Sequence, residues 1–165
     1  MTRAVLSLGS NLGDRLGYLR LAVTGFADVL LAVSPVYETK AWGVTDQPDF
    51  LNAVLLADDP AADAWAWLRR GQELEARAGR VRDERWGPRT LDVDVVTVDG
   101  VTSDHPDLLL PHPGTPERAT VLIPWLAVDP AATLPGRGPV RDLLAALPQE
   151  SKVDVRLRED LLLAP

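Results

Sequence analysis

Residues 50–57, Phe-Leu-Asn-Ala-Val-Leu-Leu-Ala, form an almost continuous apolar run. A run of this length is typical of a strand that is buried on both faces. Outward along the chain, residues 3–8 and 91–98 predict two further strands, and Ser34 to Thr39 predicts a fourth. The first hundred residues therefore supply four predicted strands.

Two helices are predicted between these strands. The first follows a turn at Gly9–Asp14 and carries apolar residues at helical spacing: Leu16, Leu19, Val23, Phe26 and Leu30. The second is predicted to begin with Asp59 as N-cap and Pro60 in its first turn, and to run to about Ala78 with Gly79 as its stop. The order β-α-β-β-α-β predicts a ferredoxin-like α+β fold with the helices packed on one face of the sheet.

The rest of the chain predicts a C-terminal extension. A proline-rich stretch at 106–116 leads to a short apolar segment, Thr120 to Val128. A helix is predicted near Val140 to Leu147, and an alternating pattern predicts a strand from Val153 to Arg158. With no internal repeat and no long linker, residues 1–165 are predicted to form a single domain.

Composition restricts the possible partners and the cellular location. The net charge of −7 and a pI near 4.8 argue against a nucleic-acid or anionic membrane surface, since both need an excess of basic residues. The absence of cysteine excludes disulfides and thiolate metal sites. The N-terminus runs straight into a predicted strand, and no apolar run approaches the roughly 20 residues of a membrane span. We therefore expect a cytoplasmic protein without a signal peptide, and a monomer rather than an oligomer.

The most informative polar feature is the pair Asp92 and Asp94 within a predicted strand. Residues two apart on a strand project from the same face, so these carboxylates lie side by side while Leu91, Val93 and Val95 face the core. Aspartate is disfavoured in strands, and like charges on one face repel each other. A hard cation such as Mg²⁺ would offset that repulsion. Taken alone, the pair is equally consistent with a strand that has one solvated face.

An arginine-rich segment, residues 80–89, leads directly into the acidic strand. Arginine guanidinium groups present planar donors that fit phosphate oxygens. Carboxylates for magnesium beside arginines for phosphates are what nucleotide phosphoryl transfer requires. The alternative is a solvated loop held by salt bridges, although Trp86 is an unusual residue for such a loop.

A third feature is the pair Phe50 and Asn52, which share one face of their predicted strand. The phenylalanine offers an aromatic plane, and the asparagine offers a hydrogen-bond donor and an acceptor together. The pair therefore suits a flat heterocycle. A core phenylalanine beside a hydrogen-bonded asparagine is the simpler interpretation of these two residues alone.

Together these segments resemble the 6-hydroxymethyl-7,8-dihydropterin pyrophosphokinases (2-amino-4-hydroxy-6-hydroxymethyldihydropteridine diphosphokinases) of folate biosynthesis. The similarity extends from residue 3 to about Pro135, and the block from Trp86-Gly-Pro-Arg to Asp92-Val-Asp94 is its most specific part. The matching segments are Leu6–Arg15, Asp46–Asn52, Arg80–Asp94, Leu110–Pro113 with Arg118, and Leu122–Trp125.

The resemblance implies a kinase that uses ATP as co-substrate, binds two Mg²⁺ ions, and transfers the β,γ-pyrophosphoryl group of ATP to the pterin hydroxymethyl oxygen, leaving AMP. Asp92 and Asp94 resemble the magnesium ligands and, with Arg80 and Arg89, the catalytic set. The positions that resemble ATP contacts are Gln72, Glu75, Arg80, Arg82, Trp86, Arg89, His112 and Arg118. The positions that resemble pterin contacts are Thr39, Trp42, Phe50, Asn52, Trp86 and Asp92.

Several positions depart from the family pattern. Lys40 stands where proline is frequent, and Asp107 and Leu109 replace polar or basic residues that contact ATP in some members. Thr120 stands where an aromatic residue commonly stacks on the pterin.

Two other functional classes remain to be weighed. A catalytically inactive nucleotide-binding module of the same fold is one, and the retained carboxylates and arginines of the catalytic set argue against it. An RNA-binding module is the other, because such modules share the four-stranded ferredoxin-like sheet. The acidic pI argues against that class.

Overall fold

The computed structural model describes residues 3–40, 48–79 and 90–163. Its strands are β1 (Arg3–Ser10), β2 (Leu30–Val33), β3 (Tyr37–Thr39), β4 (Phe50–Asp58), β5 (Asp92–Val98), β6 (Ser103–His105), β7 (Leu108–Leu110), β8 (Thr133–Leu134), β9 (Gly138–Pro139) and β10 (Arg156–Leu157). Its helices are α1 (Arg15–Gly25), α2 (Ala64–Arg77), α3 (Ala119–Val128), α4 (Val140–Ala146) and α5 (Gln149–Val153), with a 3-10 turn at Thr115–Glu117.

The main sheet is antiparallel and is built around β4 and β1. In the described residues its strand order is β10-β3-β4-β1-β5, and β2 pairs with the far half of β4. β1 and β4 pair over eight positions, from Arg3 opposite Asp58 to Ser10 opposite Leu51. The predicted ferredoxin-like α+β order is confirmed, with β1, α1, β3, β4, α2 and β5 as its members.

One face of the sheet is covered by α1 and α2. Alternate residues of the strands, among them Leu6, Leu55 and Val93, pack there against Phe26 and Trp67. Strand residues alternate between faces, so the residues of β1, β4 and β5 that face the two helices fill this core.

Within the described ranges, α3 and α4 cover the opposite face along part of its length. Val54 and Val96 of the sheet pack there with Leu122 and Trp125 of α3 and Val140 of α4. The predicted C-terminal extension is therefore part of the core at one end of this face and leaves the other end to the functional site.

Two predictions about the first half of the chain were wrong in detail. Leu30 was assigned to the first helix, but α1 ends at Gly25 and Leu30 begins β2. The strand predicted from Ser34 to Thr39 is limited to β3, because Pro35 has no N–H for a strand ladder and the Ser34 hydroxyl accepts the Val54 N–H at 2.9 Å.

The start of the second helix and the C-terminal strand also differ from the predictions. Asp63, rather than Asp59, caps α2 by accepting the Ala66 N–H at 2.8 Å, and the Asp59 side chain instead accepts the Ala61 N–H in a preceding turn. The segment predicted as one strand from Val153 to Arg158 ends the short helix α5 and then forms the two-residue strand β10. Gly79 stops α2 as predicted, with a φ of 70° that favours glycine.

None of the helices in the described ranges is long and apolar enough to cross a membrane.

The packing of α3 on the sheet predicts a large effect of truncating Leu122, whose side chain is fully buried. Leu122→Ala should lower the free energy of unfolding by about 2–5 kcal/mol, the usual range for a buried leucine. Leu31→Ala is the matched control, because Leu31 is 51% exposed and should change the free energy by less than about 0.5 kcal/mol. Urea denaturation measures both, and equal effects would contradict the proposed core on this face.

Candidate functional site

The site lies where the partly covered face of the sheet changes from apolar to polar. Along β1 the residues on this face are Val5, Ser7 and Gly9, and along β5 they are Val96, Asp94 and Asp92. The strand register places the polar positions of neighbouring strands next to each other, because Ser7 is opposite Asp94, and Gly9 is opposite both Asp92 and Asn52. The uncovered end of the face therefore forms a polar floor across three strands.

Asp92 and Asp94 project together from β5 into this floor, as predicted. Burial, the Asp92 charge and a hydrogen bond with Asp92 raise the pKa of Asp94 to about 8, and Arg118 acts in the opposite direction. The two carboxyl groups therefore resist being charged at the same time. Two oxygen-donor carboxylates forced together in this way form a favourable position for a hard divalent cation.

Glu75 of α2 holds the strand between the two aspartates. Its side chain is 3% exposed, and Oε2 accepts the Val93 N–H at 2.8 Å. β5 lies at the edge of the main sheet, so this carboxylate satisfies a backbone donor that a neighbouring strand would otherwise pair. The Glu75 charge also contributes to the raised pKa of Asp94.

The other end of the floor is formed by β3 and β4. Phe50 and Asn52 share the open face, and the Asn52 amide donates to the Thr39 hydroxyl at 2.8 Å. Gly9 leaves space beside them, since a Cβ at that position would lie 3.6 Å from both Asn52 Oδ1 and Phe50 Cδ1. Among the described residues, an aromatic plane and an oriented amide thus border a space at Gly9 that would accommodate a further methyl group.

The segment that enters α3 forms the opposite wall. Glu117, Arg118 and Thr120 line the same cavity as the floor residues. His112 lies near Arg118 and Asp92, and its Nδ1 is 2.8 Å from the Pro113 carbonyl. Burial and the Arg118 charge lower the pKa of His112, so its imidazole is neutral at physiological pH.

These walls enclose a cavity of about 520 Å³, a volume within the usual range for small-molecule sites. Of the residues predicted from sequence, the structure brings Asp92, Asp94, Thr39, Phe50 and Asn52 together around it, with Arg118 at the wall. The cavity therefore joins the acidic pair to the proposed heterocycle pair.

Other predicted residues lie apart from this cavity. Gln72 is exposed on α2, and the Glu75 carboxylate bonds to the backbone of β5, so their predicted ATP contacts remain predictions. The predicted residues Arg80, Arg82, Trp86, Arg89 and Trp42 lie outside the described ranges.

Several residues that line the cavity were not predicted from the sequence as site residues. Ser7, Gly9, Lys40, Glu117 and Ser151 all border the cavity. The two-residue period of β1 would have placed Ser7 and Gly9 on one face, but Gly9 was assigned to a turn. Ser151 carries no local signal of this kind, because only tertiary packing brings it to the site.

No group of three or more histidine, aspartate or glutamate side chains is positioned to hold a metal ion within the described ranges. A cation at the acidic pair would have two carboxylate groups from the described residues and would need further oxygen ligands from water or substrate.

The sequence matches the profile of the 7,8-dihydro-6-hydroxymethylpterin-pyrophosphokinase (HPPK) family over residues 5–130. The chain belongs to this family. The matched range includes the acidic pair, Phe50, Asn52 and the segment that enters α3, so the family match and the cavity coincide.

Curated relatives agree with this membership over nearly the whole chain. The 2-amino-4-hydroxy-6-hydroxymethyldihydropteridine pyrophosphokinase of Mycobacterium tuberculosis is 52% identical, covering 95% of this chain and 90% of that protein. The protein of the same name from Methylorubrum extorquens is 42% identical, covering 89% and 94%.

Solved structures share the fold. A Plasmodium falciparum HPPK-DHPS crystal structure has a TM-score of 0.63 and 13% identity, and the match covers 88% of this chain. The chain spans 43% of the length of that protein. At this identity the similarity supports the fold and not the details of the site.

The bond from Val93 to Glu75 yields a stability prediction. Glu75→Leu introduces an apolar side chain of similar size and removes the acceptor, so the free energy of unfolding should fall by about 1–3 kcal/mol. Glu73→Leu on the exposed side of α2 should change it by less than about 0.5 kcal/mol. Chemical denaturation compares them, and a Glu75→Leu protein as stable as wild type would exclude a supporting role for this bond.

Proposed function

We propose that this chain carries out the reaction of its family, the transfer of pyrophosphate from ATP to 6-hydroxymethyl-7,8-dihydropterin. In this reaction the pterin hydroxymethyl oxygen forms a bond to the β-phosphorus and the bond from that phosphorus to the bridging oxygen of the α-phosphate breaks. AMP leaves, and the hydroxyl proton is released. The protein is an ATP-dependent diphosphotransferase of folate biosynthesis, with residues 1–165 as one catalytic domain.

The observation that carries the proposal is the shared cavity. One end has the two carboxylates of β5, and the other has an aromatic ring beside an oriented amide. A nucleotide phosphate chain with its cation and a flat heterocycle need these two environments within reach of each other. The order of the lining residues across the sheet supports this arrangement of substrates.

Magnesium fits the acidic end. The raised pKa of Asp94 reflects a carboxylate that lacks enough positive charge nearby, and Mg²⁺ prefers carboxylate oxygens together with phosphate oxygens. We propose Asp92 and Asp94 as the ligands of two ions, which would neutralise charge on the triphosphate when bound. The Arg118 guanidinium lies beside the pair and provides donors for phosphate oxygens. The neutral His112 donates its Nδ1–H to the Pro113 carbonyl, so Nε2 is an acceptor, and we propose His112 as a contact of ATP at this wall. Arg80 and Arg89 are proposed to complete this set.

The acceptor end orients the pterin. Phe50 supplies a plane for one face of the ring, and Gly9 leaves the floor open for it. Asn52 uses one amide hydrogen for Thr39, and its carbonyl and second amide hydrogen can pair with the ring edge. The hydroxymethyl group then lies toward β5 and the phosphate chain. Positioning and electrostatic stabilisation account for the acceleration in this scheme.

The alternative function, an inactive module that binds a nucleotide without turnover, is not favoured, because the curated relatives are named pyrophosphokinases. One assay separates the two: ATP, Mg²⁺ and hydroxymethyl dihydropterin are supplied, and AMP is measured. Formation of AMP that depends on the pterin supports the kinase, and nucleotide binding without AMP supports the inactive module. We further propose that the protein acts as a cytoplasmic monomer on these two small molecules.

The carboxylate pair predicts a separation of activity from stability. Asp92→Ala or Asp94→Ala should reduce AMP formation by at least about 100-fold, a usual loss for a group that stabilises transition-state charge. The melting temperature should stay the same or rise, because each change removes one of two repelling carboxylates. Asp104→Ala, at an exposed position of β6, should retain full activity. Near-normal AMP formation by either pair variant at saturating Mg²⁺ would refute the metal assignment.

Thr120 lines the cavity with Phe50 and offers little stacking area. Thr120→Phe should therefore tighten pterin binding by about 0.5–1.5 kcal/mol, the usual worth of an aromatic pair beyond area burial. Calorimetric titration with a non-hydrolysable ATP analogue present measures this difference. Unchanged or weaker binding by a folded variant would mean that another residue already supplies this wall.

A further inference from the structure

Ser151 of α5 lines the cavity, although it lies beyond residue 130, where the family match ends. We propose that Ser151 forms the outer wall of the acceptor end of the cavity and limits the size of the pterin that fits there. This role rests on the proposed function, and it gives the C-terminal segment a part in substrate specificity.

The order of strands assigns Ser151 to the acceptor end. β5, with the carboxylates, is at one edge of the main sheet, and β10 is at the opposite edge beside β3. α5 ends at Val153, and the chain enters β10 three residues later. The helix that carries Ser151 therefore approaches the cavity from the side of Thr39 and Asn52, across the sheet from Asp92.

The backbone fixes the segment that follows α5. In β10, Arg156 is opposite Glu38 and Leu157 is opposite Tyr37. The next residue continues the attachment, because the Arg158 N–H donates to the Val36 carbonyl at 2.8 Å. β10 thus extends the sheet next to the strand that supplies Thr39.

Ion pairs reinforce this attachment at the base of the acceptor end. Glu38 is only 12% exposed, and its carboxylate accepts Arg15 at 2.6 Å and Arg158 at 2.7 Å. Arg156 contacts the Asp49 carboxylate at 2.8 Å, and Asp49 immediately precedes Phe50. A partly buried network with two arginines on one carboxylate is a firmer link than isolated surface pairs.

Both flanks of the segment are anchored in the protein. Val140, which begins α4, is fully buried in the core under α3. On the other side, Leu163 is buried in the core under α1, and the Arg20 side chain donates to the Leu162 carbonyl at 2.9 Å. The segment that carries α5 is therefore held against the protein on both sides, and we expect a larger side chain at position 151 to reduce the space for the acceptor.

The test compares Ser151→Leu with Glu150→Leu, an exposed neighbour on the same short helix. Dissociation constants are measured for hydroxymethyl dihydropterin, with an ATP analogue present, and for the ATP analogue alone. Ser151→Leu should weaken pterin binding by about tenfold or more, the effect of forcing extra methyl groups into a packed site. Its affinity for the ATP analogue should stay within twofold of wild type, and Glu150→Leu should match wild type for both ligands. Ser151→Thr, which adds one methyl group, is the variant to use if Ser151→Leu does not fold.

The outcomes distinguish this inference from the proposed function. A wild-type protein that neither binds the pterin nor forms AMP would overturn the proposed function itself. A wild-type protein that does both, with a folded Ser151→Leu variant that binds the pterin equally well, would overturn only the role of Ser151. Equal loss of pterin and ATP analogue in the folded variant would also contradict the assignment of Ser151 to the acceptor end.

Discussion

The two-sidedness of β1, β4 and β5 is the constraint on which the site depends. On one face of these strands, alternate residues pack in the core under α1 and α2. The intervening strand residues therefore point to the opposite face. There α3 and α4 cover only the end that carries Val5, Val54 and Val96. The remaining positions include Ser7, Asp94 and Asn52, and the register alone places them side by side.

This arrangement explains how two repelling carboxylates are kept together. Val93 faces the core and donates its backbone N–H to Glu75, so the residue between the aspartates is fixed by both its side chain and its backbone. The raised pKa of Asp94 is the consequence, and the proposed divalent cation would offset the repulsion between the two carboxylates. The packed core on one face of the sheet thus holds the carboxylates of Asp92 and Asp94 close together on the other face.

The sequence predicted most of the fold and about half of the cavity, and the physical reasons differ by residue. The period of two in Asp92–Val95 and in Phe50–Asn52 was sufficient to assign faces, and both assignments are confirmed. Local rules failed where a competing local interaction prevailed, as at Asp63 in place of Asp59 and at Leu30. Local sequence rules did not predict Ser151 as a cavity residue. Its position at the cavity depends on β10 pairing with β3, across more than a hundred residues of chain.

In the proposed function, the polar end of this sheet face holds both reacting groups. A crystal grown with Mn²⁺ in place of Mg²⁺, an ATP analogue and hydroxymethyl dihydropterin tests it directly through anomalous scattering. We expect manganese peaks at about 2.0–2.2 Å from carboxylate oxygens of Asp92 and Asp94, with the pterin ring against Phe50 and hydrogen-bonded to Asn52. Manganese bound away from the β5 pair, or a pterin outside the cavity between β4 and α3, would contradict it.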